Sequence, residues 1–209
     1  MREITPTKSA ALGLGEERRL MHQGFEFLDE KRMLLAGEML RQLHRYEERA
    51  AVFAAEQAAA AEALARAVER HGLDAIQVYP RAESAAEPPP CTTNRFLGVM
   101  LRQAEPWPET TEAPALPVDP SAEAETARAA FARLIRTSLD IGVFAGNLQR
   151  LAREYRRVER RAKALENVLL PEVEATLKHV VEQLDMLDQE EAVRVQSAGR
   201  SRADAAHRS

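Results

Sequence analysis

RRAKALENVLLPEVEATLKHVVEQLDMLDQEE, residues 160–191, decides the fold. Apolar side chains recur at Ala162, Leu165, Leu169, Val173, Leu177, Val180, Leu184 and Leu187, in steps of three and four. That spacing lays one stripe along a helix. Pro171 lies inside the stripe, where it removes one i to i−4 hydrogen bond and tilts the helix locally. From Leu169 to Leu177 the steps are four and four. Such a stutter relaxes a left-handed supercoil. The proline is therefore expected to curve the helix rather than end it.

The stripe extends upstream through Phe131, Leu134, Ile141, Ala145, Leu148, Leu151, Tyr155 and Val158. Ser121 is a good N-cap, with Glu123 and Glu125 in the first turn. One long helix is expected over 121–196. The polar remainder, 197–209, has no stripe and is expected to be disordered. A second stripe runs from Leu20 through Phe27, Leu28, Leu35, Met39, Leu43, Tyr46, Phe53, Ala60 and Leu64 to Val68. It predicts a helix over 16–72, behind an N-terminal extension of 1–15, with Gly72 as its stop. At about 1.5 Å per residue that helix would be about 85 Å long.

Between the helices, 73–120 holds nine of the eleven prolines, too many for a long helix. Ala75–Tyr79 and Arg95–Leu101 look extended and predict a small β-hairpin, with Gly98 as a bulge or a close backbone approach. A helix with a single apolar stripe is not stable alone in water. The simplest solution packs the two helices on each other, with the Pro-rich knob as the turn. The fold class expected is mainly α: a long antiparallel two-helix coiled coil with a small β-hairpin-containing insert.

Composition agrees. Aromatic residues are 5% and charged residues 30% of the 209 residues, which favours long helices over a compact core. The net charge of −4 gives no overall basic field for nucleic acid. Cys91 is the only cysteine, so no intrachain disulfide forms and a reducing compartment is expected. No run approaches the roughly 20 apolar residues of a membrane span. No secretory leader is evident either, so a soluble, cytoplasmic protein is expected.

Catalytic patterns are missing. The five histidines have no ligand spacing, and Gly13–Gly15 lacks the Lys-Ser/Thr of a phosphate loop. No metal and no cofactor is expected. The abundant carboxylates read as solvated helix faces paired with Arg at i,i+4. Two regions read instead as sticky. Residues 148–166 carry Arg150, Arg153, Arg156, Arg157, Arg160, Arg161 and Lys163 against three glutamates, a local balance of +4. A solvated face is the plain reading, and an acidic protein partner the functional one. Nucleic acid fits less well, because a coiled-coil stripe runs through the segment. The knob balances to −4 and holds Phe96, Leu97, Val99, Met100 and Trp107, apolar groups that so small a knob cannot all bury.

Three blocks of the chain resemble the D subunit of the V-type and A-type rotary ATPases, the central rotor shaft. The first block contains Pro6, Thr7 and Lys8, then Gly24, Phe27, Leu28, Lys31, Arg32 and Leu35. The second is Asn94, Gly98 and Val99 in the knob, and the third is residues 160–195. Ala162 and Lys163 stand where the family has Val-Asn, and the ending at Ala192–Gln196 also departs from the family pattern.

The resemblance implies a rotor without catalytic residues, peripheral to a membrane-bound complex. Its partners would be the hexamer of catalytic A and B subunits, a small F-type stalk subunit and the socket subunit of the membrane ring. Direct membrane insertion is not expected. Candidate contact residues are Pro6, Thr7, Lys8, Lys31, Arg32, Phe96, Arg153, Arg156, Arg157, Arg160, Arg161, Leu184 and Leu187. Two other readings stand beside it: a coiled-coil adaptor with no ATPase link, and an export-apparatus stalk. The export stalk lacks a Pro-rich knob.

Overall fold

The structure, a computed structural model, describes residues 5–77, 79, 91–105, 117 and 119–206, with side chains described as far as residue 198. The elements in order are helix α1 (Lys8–Gln77), strands β1 (Cys91–Phe96) and β2 (Val99–Ala104), and helix α2 (Ala122–Ala164). A π-helical turn (Leu165–Leu169) and helix α3 (Leu170–Ala206) follow. The chain divides into two compact units. A terminal unit contains 1–32 with 157–209, and a hairpin unit contains 33–156.

Each unit pairs its helical segments antiparallel. In the terminal unit Lys8 meets Asp188 at 3.7 Å and His22 meets Glu174 at 3.8 Å, so one number falls as the other rises. Leu14, Val173 and Val180 form its aliphatic core, with Met21, Leu177 and Leu184 around them. In the hairpin unit Arg49 meets Asp140 at 3.8 Å and Arg70 meets Glu123 at 3.4 Å. Its core there is almost all alanine: Ala60, Ala63 and Ala67 against Ala127 and Ala130, flanked by Ile76, Phe131 and Leu134. Side chains this small let two helix backbones approach closely.

The caps explain where the helices begin. Thr7 Oγ1 accepts the Ala10 N–H at 3.1 Å, so α1 starts at Lys8, eight residues ahead of the expected start. Ser121 Oγ accepts the Ala124 N–H at 3.1 Å and caps α2, as its position predicts. Glu123 and Glu125 sit in the first turn of α2, favourable to the helix dipole.

Four expectations need correction. Ala75–Gln77 are not a strand. Gly72 (φ 77, ψ 164) breaks the helix, but the chain then resumes helical turns to Gln77. Arg95–Leu101 is not one strand either. The hairpin pairs Cys91–Phe96 with Val99–Ala104, from Cys91↔Ala104 to Phe96↔Val99, and Leu97–Gly98 is its two-residue turn. Both turn residues have positive φ (48 and 89), the geometry whose twist matches two flanking strands. Gly98 is thus a turn glycine and no bulge. The tail expected to be disordered from 197 remains helical to Ala206, helped by its Ala and Arg content. Fourth, the buried stripe passes through Leu170 (7% exposed), not Leu169 (40%). The π turn absorbs one residue, and Leu170 N–H bonds Leu165 O in place of an i−4 carbonyl. Pro171 follows directly and α3 continues through it. Val78 of the expected first strand, most of the prolines and Trp107 lie outside the described residues, and Tyr79 is a bend.

Candidate interaction surfaces

In the hairpin unit the side chain of Asn147 holds the hairpin. Asn147 is 2% exposed at mid-α2, on the stripe that otherwise carries Phe144 and Leu151. Its Oδ1 accepts the Arg102 N–H at 2.9 Å, and its Nδ2 donates to the Arg102 carbonyl at 2.8 Å. One amide therefore satisfies both backbone groups of Arg102 on the outer edge of β2, as a neighbouring strand would. Nδ2 also reaches Gln42 Oε1 at 3.4 Å, and Gln42 Nε2 donates to Glu38 Oε1 at 2.8 Å. Gln42 is 6% exposed and lies seven residues after buried Leu35, so it too occupies a stripe position.

Burial alone would raise the Glu38 carboxyl. The hydrogen bonds from Gln42 and Arg41, with the charges of Arg41 and Arg45, outweigh burial and hold it below the usual carboxylate range. On the other side, Arg150 Nη2 donates to Asn147 Oδ1 at 2.7 Å. Burial first, then the charges of Arg102 and Arg153, draw the Arg150 guanidinium below its usual range. It stays a cation at physiological pH. A groove of about 350 Å³ runs beside this network, between β2 and the two helices. Its walls carry Arg45 and Arg102, the Arg49–Asp140 pair, and Phe144.

One cluster has the look of a nucleophile relay. His71 Nε2 lies 2.6 Å from Ser121 Oγ, and His71 Nδ1 lies 3.5 Å from Asp119 Oδ2. Yet Ser121 is 8% exposed and its oxygen is already committed to the Ala124 N–H. With Arg70–Glu123 and the 3.0 Å bond from Tyr79 Oη to Glu125, the cluster ties the end of α1 to the start of α2. Burial and the Glu125 bond raise the Tyr79 phenol. Among the described residues no group of three His, Cys, Asp or Glu could hold a metal ion. None of the described helices is long and apolar enough to cross a membrane.

The candidate contact residues fall in both units. Phe96, Arg153 and Arg156 belong to the hairpin unit. Phe96 ends β1 half-buried, and both arginines are exposed. The terminal unit holds the others. Arg157, Arg160 and Arg161 are exposed, while Lys31 and Arg32 are half-buried. Arg32 pairs with Asp29. It also lies close enough to Glu159 to help lower that carboxyl, although Lys163, bonded at 2.9 Å, does most of this. Pro6 is half-buried and Thr7 and Lys8 are exposed at the start of α1. Leu184 packs on the Val173–Val180 core, whereas Leu187 is 49% exposed. Sequence reasoning does not single out Asn147 or Gln42. The apolar stripes read from the sequence pass through the neighbouring Leu43 and Leu148, whereas Leu43 is 40% exposed and Gln42 and Asn147 take the buried positions.

The family model for the ATP synthase D subunit matches residues 12–200. The chain belongs to the ATP synthase D-subunit family. A relative from Thermotoga neapolitana, the D subunit of a V-type ATP synthase, is 22% identical over 192 residues, covering 92% of this chain and 95% of that protein. Membership in the D-subunit family gives the long paired helices a role: the central stalk of a rotary ATPase, one part of a multi-subunit complex. In this D-family chain the middle segment carries the hairpin that Asn147 seats.

Proposed function

We propose that this stalk subunit is non-catalytic and transmits torque between a catalytic A/B hexamer and a membrane ring, in ATP-driven ion transport or ATP synthesis. The observation that supports this reading is that each unit is built on long helical segments locked by antiparallel pairing, Lys8–Asp188 and His22–Glu174 in one and Arg49–Asp140 and Arg70–Glu123 in the other. Backbone hydrogen bonds along such helices resist twisting better than a loop does. The subunit would sit in the cytoplasm as a peripheral part of the membrane-bound complex.

Specific contacts are assigned from position along the chain and from charge. Pro6, Thr7, Lys8, Leu184 and Leu187, near the chain ends, are assigned to the A and B subunits. Arg153 and Arg156, and separately Lys31, Arg32, Arg157, Arg160 and Arg161, are assigned to acidic surfaces such as a small F-type stalk subunit. Phe96, at the end of β1, is assigned to the socket of the membrane ring. Tagged protein purified from its own cells recovers A, B and F-type subunits on this reading; recovery of none of them would sink it. A triple charge reversal, R157E/R160E/R161E, leaves the helix content intact and releases the acidic partner.

A further inference from the structure

The rows of buried and half-buried residues that face the core of the terminal unit step by seven on either side of the π turn and by eight across it. One row runs Val158, Leu165, then Val173 and Val180. The other runs Ala162, then Leu170, Leu177 and Leu184. Both rows therefore gain one residue between Leu165 and Leu170, the two residues joined by the i to i−5 bond. None of the five residues of the turn is buried, and Val168 is 58% exposed. An extra residue in an unbroken α-helix would rotate everything after it by about 100° at 3.6 residues per turn, taking Val173 and Val180 off the core. The widened turn takes up the residue and leaves the following helix in phase.

We propose that Leu165–Leu169 is a one-residue phase insert and that Pro171 pins it in place. A π turn moves along a helix when successive N–H groups exchange an i−4 carbonyl for an i−5 carbonyl. To move one step toward the C-terminus, residue 171 would have to donate to the Glu166 carbonyl, and proline has no N–H to donate. If the turn closed to α geometry, the Pro171 ring would meet the carbonyl of Asn167, four residues back. The phase of the core creates the insert, and the proline fixes its address.

The test is thermal unfolding and hydrogen exchange on the full-length chain. P171A with Val168 deleted has neither the extra residue nor the proline clash. It melts at or above the temperature of the unmodified chain. P171A with exposed Ala175 deleted throws Thr176, Leu177 and Val180 out of phase and melts at least 10 °C lower. If the Val168 deletion fails to fold, or if the two deletions cost the same, the turn is no phase insert. P171A alone keeps the π turn but unpins it. Its amides at 166–175 exchange at least tenfold faster, with protection at Val158 unchanged. Exchange unaltered across 166–175 overturns the pinning role.

Discussion

Around Asn147 two helices and a hairpin are joined by amides, a carboxylate and guanidinium groups; around Val173 and Val180 the packing is apolar, and the buried hydroxyl of Thr176 bonds back to its own helix at the Glu172 carbonyl. The two units solve the same problem, antiparallel pairing of long helices, by different means. An apolar stripe gives attraction but tolerates sliding by a heptad, because one leucine resembles the next. A buried amide with three partners accepts one alignment only, since any shift leaves its dipoles unpaired. The hairpin unit is therefore positioned by polar complementarity. The terminal unit is positioned by phase, through the π turn.

Exchanging the chemistry of the two units tests that contrast most severely. Val180→Asn introduces an amide where the aliphatic core offers no partner and removes two buried methyls. It should cost about 3 kcal/mol, read as a lowered midpoint in urea unfolding. The reverse exchange, Asn147→Leu, keeps the volume but strands Gln42 and both backbone groups of Arg102. It should cost about 2 kcal/mol and speed amide exchange throughout β1 and β2 while the terminal unit is unaffected. Equal loss of protection in both units would mean that the amide does not act locally.

Smaller changes sharpen the picture. Ser121→Ala removes an N-cap and the partner of His71; about 1 kcal/mol is expected, from thermal unfolding. Leu97→Asn relieves a bulky side chain held at φ 48 and should stabilise by up to about 1 kcal/mol, with the hairpin register unchanged by NMR. Glu38 supplies the pH dependence. Its folded pKa is lowered, so its contribution is present above the ordinary glutamate value of about 4.3 and is lost as pH falls through the lowered value. Glu38→Gln should flatten the loss of stability in that acid range, measured by melts at stepped pH.

Much of the fold is legible in the sequence because it is periodic. The paired long helices and the Ser121 cap follow from local rules, although Leu20, Phe27 and Leu43, read as stripe positions, are exposed. The hairpin is misplaced by those rules because Ala75–Tyr79 has strand composition, whereas Gly72 merely interrupts a helix that the chain then resumes. The true turn, Leu97–Gly98, is hidden by a leucine in a conformation that usually selects Asn or Gly. Leu169 and Leu170 are chemically alike, so only the three-dimensional phase distinguishes the buried one. The arginines are legible as charges, but exposure alone does not convert a charged face into a contact. Asn147 escapes notice because the apolar pattern passes through its neighbour Leu148 and leaves the amide beside the stripe.

Asn147 also has a consequence for the order in which the chain assembles. A lone two-stranded hairpin is marginal in water, and here the outer edge of β2 completes its bonding only when α2 lies alongside. The hairpin should thus be a late event in folding, forming once α1 and α2 have found each other. Substitutions in β1 and β2 would then change the unfolding rate and leave the folding rate almost untouched. A formed hairpin would in effect certify that the two helices have already aligned.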